Sequence, residues 1–154
     1  MNHNVCLNCI LRKLVRQSFP RLRTRIVTIS WGATDDLLSY TADPEGYAIT
    51  VNIRLRGARR AVLEGGIAHE LCHIESETKL GIYLRQLAWD RYSDSRWYRM
   101  REERSVESRA IELGYGNQLL ALIRFARRLG YSFKREHGLL YGEILRAERI
   151  RAAR

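Results

Sequence analysis

Long apolar runs are missing from this chain. None approaches the roughly 20 residues that a hydrocarbon core requires, so no membrane-spanning helix and no membrane partner are expected. A secretory signal is missing too. Met1 to Leu11 runs polar, briefly apolar, then basic, the reverse of the export order, and has no small-residue cleavage site; the expected compartment is the cytoplasm. Cysteine is scarce: Cys6, Cys9 and Cys72 are too few for a disulfide framework and fit a reducing compartment. Cys6 and Cys9 form a C-x-x-C preceded by His3, but a closed zinc site needs four ligands and a redox motif needs a βαβ context. They read as a structural or incidental pair. Lysine is confined to Lys13, Lys79 and Lys134, so the 27 basic residues are almost all arginine. Against 17 acids they leave a net charge of +10, which makes nucleic acid or an acidic protein a candidate partner. The arginines are spread over every segment, the pattern of an ion-paired surface such as hot-adapted proteins carry. No repeat, low-complexity stretch or linker interrupts the chain, and residues 1–154 read as a single domain.

What is present is periodicity. Leu7, Ile10, Leu11, Leu14 and Val15 recur at helical spacing from about Cys6 to Gln17, and Pro20 prevents continuation. "TRIVTISW" (Thr24 to Trp31) is β-branched and ends at Gly32, and "DLLSYTA" is a second strand candidate before Asp43 and Pro44. "GYAITVNIRL" alternates Tyr47, Ile49, Val51, Ile53 and Leu55 against polar or small neighbours, the period of a half-buried strand. Helices are expected from about Ala58 to Leu80, Arg99 to Leu113, Gln118 to Leu129 with Asn117 as N-cap, and Leu139 to Ala152. Between them, "YLRQLAWDRYSDSRWYRM" interleaves aromatics and arginines without a clear period. The fold expected is α+β: a small antiparallel or mixed sheet, one long helix, and a mostly helical C-terminal half.

That long helix carries "AHELCHIE", Ala68 to Glu75, with two of the chain's four histidines. At 3.6 residues per turn His69 and His73 stand one above the other, so both imidazoles can reach one ion at about 2.0–2.1 Å. Glu70 projects roughly 100° round the same turn, where a general base beside the ion is wanted. Leu63, Ile67, Leu71 and Ile74 form a separate core stripe, and Gly65 and Gly66 would let neighbouring backbone approach closely. Downstream, Glu103, Val106, Glu107, Ala110 and Leu113 share one helix face. Two carboxylates one turn apart repel unless a cation or donor separates them.

The stretch "HELCH" on a helix directly after a strand resembles the active-site helix of the zincin metallopeptidases. In the gluzincin branch a downstream helix supplies a third ligand, a glutamate, often four residues ahead of a second acid and seven ahead of an alanine. Glu103, Glu107 and Ala110 stand in that arrangement. The resemblance implies one Zn²⁺ held by His69, His73 and Glu103, with Glu70 as general base and acid in hydrolysis of a peptide or protein substrate. Glu107 would orient a ligand histidine, or itself be the ligand with Glu103 exposed. If the architecture follows the resemblance, the strand Tyr47 to Leu55 borders the cleft and its free edge pairs with an extended peptide.

Other readings are open at this point. "HGLLY", His137 to Tyr141, is similar to the stretch from which the SprT-like metallopeptidases take a third histidine, and that group's association with DNA-linked proteins would suit the basic charge. A basic nucleic-acid-binding protein with an accessory or silent zinc site is the alternative of a different class, resting on the aromatic and arginine-rich stretch from Tyr83 to Met100. Tyr115, Tyr131, His137 and Tyr141 are the candidates for an oxyanion donor. Cys72, inside the motif, is a possible competitor for metal.

Overall fold

A computed structural model describes residues 5–154, the side chain of Glu136 apart; His3 lies outside them. The first helix, α1 (Leu7–Ser18), buries Leu7, Ile10, Leu11 and Leu14 on one face, and Pro20 opens a short 3-10 turn beyond it. Cys6 caps α1: its sulfur accepts the Cys9 N–H at 3.2 Å. The two cysteines are joined in a disulfide.

Three strands follow, β1 (Ile26–Gly32), β2 (Leu38–Ala42) and β3 (Gly46–Asn52). Their order is β1-β3-β2, with β3 parallel to β1 and antiparallel to β2, so the sheet is mixed. Tyr47, Ile49 and Val51 of β3 are buried, as the alternation requires. Both edges of β3 are paired, however, which corrects the expectation that this strand offers a free edge to a cleft. Alternation reports which face is buried and is silent about which neighbours take the edges. Here Asp43 accepts the N–H groups of Glu45 and Gly46, each at 2.8 Å, and the resulting turn folds β2 against β3 as the edge strand. β3 also stops short of Leu55. Asn52 accepts the Arg54 N–H at 2.9 Å and turns the chain into a 3-10 segment, Ile53–Leu55.

Helix α2 (Arg60–Glu77) lies at the centre, its Leu63, Ile67, Leu71 and Ile74 fully buried. Gly65 and Gly66 explain how neighbours come so close. A Cβ on Gly65 would stand 2.4 Å from the Gln118 carbonyl oxygen, and one on Gly66 2.4 Å from the Leu38 side chain. Helix α3 (Ile82–Asp94) follows where irregular aromatics gave no period, and none of its residues is buried. Helix α4 (Arg96–Glu112) is capped by Ser95, whose hydroxyl accepts the Tyr98 N–H at 3.2 Å. Helix α5 (Gly116–Arg128) starts earlier than expected, with Tyr115 and not Asn117 at its N-cap, and ends before Gly130 at φ +90°. Helix α6 (Tyr141–Ala152) completes a helical C-terminal half, and the α+β class holds. Among the described residues no helix is long and apolar enough to cross a membrane.

Candidate metal centre

α2 and α4 together build the site. The 3.6-residue repeat of α2 brings the His69 and His73 rings to 4.9 Å between centroids, and α4 crosses so that Glu103 faces both. His69 Nε2 lies 3.2 Å from Glu103 Oε2, and His73 Nε2 lies 3.4 Å from Glu103 Oε1. All three side chains offer donor atoms within 4.8 Å of one another. A tetrahedral ion with bonds of about 2.0–2.1 Å holds its donors about 3.3–3.4 Å apart, and each histidine stands at about that distance from one of the two Glu103 oxygens. Two imidazoles and one carboxylate are also a donor set that suits zinc.

Electrostatics bind the three together. Burial raises the Glu103 carboxyl, but the hydrogen bonds and charges of His69 and His73 overcome this and hold it well below the carboxylate range. Burial lowers His69, yet its hydrogen bond to Glu103 and the surrounding carboxylates raise it to about 9. Glu70 is 7% exposed and lines the same cleft. Burial pushes its carboxyl above the ordinary range, while the charges of His69 and His73 pull it back.

Glu107 is buried beside them and accepts the backbone N–H of Leu139. Burial pushes it up to about 7, partly offset by the charge of His69 and the Leu139 N–H. Its hydrogen-bond partner is therefore the segment leading into α6 and not an imidazole. His137 lines the cleft but is outside the group of three donors. Cys72 is 3% exposed, does not line the cleft and is outside the group of three donors; burial pushes its thiol up to about 12.

The cleft holds about 890 Å³ and is walled by β2, α2, α3, α4 and the segment from Tyr131 to His137. Of the oxyanion candidates, Tyr131 and His137 line it. Tyr115 is instead in the core, its hydroxyl 2.6 Å from that of Ser18, and Tyr141 lies under the Arg127 guanidinium at 5.5 Å. Two tyrosines that no motif marked come closest to the donors. Tyr92 of α3 donates its hydroxyl to Glu103 Oε1. Tyr40 of β2 stacks on the His73 ring at 6.0 Å and donates to Glu77 at 2.8 Å. The only sequence signal of Tyr92 is an aromatic in a stretch with no clear period, and that of Tyr40 a place in the second strand candidate. In comparisons with known protein families, curated proteins and solved structures, nothing matches the chain.

Proposed function

We propose that this chain is a zinc-dependent peptidase, acting on a peptide or protein substrate. The observation that carries the reading is the convergence of His69, His73 and Glu103, from two helices, beside an unligated and buried Glu70. A zinc ion held by those three side chains would lower the pKa of water from 15.7 toward about 7 and polarise a peptide carbonyl. Glu70 takes the proton from the attacking water and passes it to the leaving amine. Tyr92 restrains the Glu103 carboxylate from the side facing α3. Tyr40 fixes the plane of the His73 ring by stacking. An extended peptide would add to the outer edge of β2, whose Leu38, Ser39 and Tyr40 line the cleft.

The test is hydrolysis of a mixed peptide library by zinc-loaded protein. Glu70→Gln should keep its zinc and lose about 10²–10⁴-fold in rate. Unchanged cleavage by that variant would remove the mechanism.

One observation favours a second reading, a nucleic-acid-binding surface: Trp97 is 61% exposed with the Arg101 guanidinium 5.5 Å above its ring. Oligonucleotide binding by metal-free protein that weakens steeply with salt, and is lost in Trp97→Ala, would support it.

A further inference from the structure

The charge of the cleft is opposite to that of the chain. The protein as a whole carries +10, yet Asp35, Asp36, Glu70, Glu102, Glu103 and Glu107 all line the cleft. A divalent ion between His69, His73 and Glu103 would offset only part of this. Other buried acids are matched with bases: Glu64 with Lys13 and Arg60, Glu75 with Arg109 and, in the cleft wall itself, Glu77 with Arg85. Arg99, which also lines the cleft, spends its donors on the Tyr92 and Ser93 carbonyls and its face on the Tyr92 ring.

Asp35, Asp36 and Glu102 form no ion pair among the described residues. Asp35 and Asp36 sit on a backbone that is held in place. The buried Asn52 amide donates to the carbonyls of Thr34 at 2.6 Å and Asp36 at 2.9 Å, and the Tyr131 hydroxyl donates to the Asp35 carbonyl at 3.4 Å. The backbone is tied on three sides, while Asp35 and Asp36 themselves are exposed and line the cleft. Glu70, more than nine-tenths buried and without a hydrogen-bond partner among the described residues, faces the same space, and the charge of Asp36 reaches it. β2 begins at Leu38, one residue beyond this pair, so a peptide extended along its edge would run past Asp36.

Neighbouring carboxylates held without a counter-ion repel each other and favour whatever cation enters. In a chain this rich in arginine, that cation is not supplied from within. We propose that the cleft takes a polypeptide bearing a lysine or arginine close to the bond to be cut, with its cationic end held by Asp35 and Asp36. The inference rests on the peptidase reading for the meaning of the bond, but the binding preference itself does not require hydrolysis.

The test uses zinc-loaded Glu70→Gln protein and three fluorescent peptides differing only in a central lysine, norleucine or glutamate, compared by anisotropy. The lysine peptide should bind about fivefold tighter than norleucine, the size expected of two partly solvated ion pairs, and the glutamate peptide weakest. In the Asp35→Asn, Asp36→Asn variant, checked for its fold by circular dichroism, the lysine advantage should shrink to within about twofold. A lysine peptide that binds no better than norleucine, an advantage that survives in the double variant, or no binding of any peptide would each overturn the inference. If the lysine preference is present but the wild-type protein cuts nothing, the peptidase reading fails and the cleft preference stands.

Discussion

Glu103 accepts from three directions: the imidazoles of His69 and His73 and the phenol of Tyr92. A buried carboxylate in that position has little freedom to turn, and restraint of a ligand by a neighbour is what keeps a metal site in shape before the ion arrives. Tyr92→Phe removes one restraint without touching a donor atom. Zinc affinity, measured by competition with a chelator, should fall about tenfold. An unchanged affinity would mean the phenol is a bystander. At this scale the histidines, Glu70 and the Glu103–Glu107 spacing are legible in the sequence because each is a local pattern on one helix. Tyr92, Tyr40 and Asp36 are not, because they come to the cleft from a different helix, an edge strand and a loop, and only tertiary packing sets those distances.

Elements owe their placement to a few close approaches. α2 and α5 cross with Gly65 against the Gln118 carbonyl, and no side chain fits there. Gly65→Ala must push the helices apart, and should cost about 1–3 kcal/mol of stability in denaturant unfolding despite alanine's better helix propensity. A neutral or stabilising result would contradict the described crossing. The start of α6 is fastened to α4 by Arg104, which donates to both Glu143 carboxylate oxygens at 3.0 and 2.8 Å. The hydrogen bond from Arg104, then that from the Leu140 N–H, hold Glu143 down at about 2, against an ordinary value of 4.5. A folded-state pKa below the unfolded one stabilises above the unfolded value and loses that contribution as pH falls toward the folded one. The stability difference between wild type and Glu143→Gln should therefore be constant above about pH 5 and vanish as pH drops toward 2. Because Glu143 is more than a third exposed, solvent screening limits the difference to about 0.5 kcal/mol. A difference that persists at pH 2 would contradict the assignment. β3 and α1 were legible from their periods because each buries one face. α3 was not: with no buried residue it has no apolar stripe to read, and two of its aromatics, Trp89 and Tyr92, serve the cleft wall.

At the scale of the molecule, a strongly basic chain surrounds a cleft lined with acids, and the three donors stand inside that cleft. Composition announced the first of these and concealed the second, because a net charge sums over a surface whose parts differ in sign. The α+β class could be read from strand patterns followed by helix patterns. The pairing of β3 with both neighbours could not, since the period of a strand is the same at an edge and in the middle.

The central claim is that His69, His73 and Glu103 hold one ion between them. Elemental analysis of protein purified without a histidine tag tests it most directly. The account predicts one zinc per chain, retained in Glu70→Gln and His137→Ala and lost in Glu103→Ala. No stoichiometric metal in the wild-type protein, or zinc that survives Glu103→Ala but is lost in His137→Ala, would contradict it.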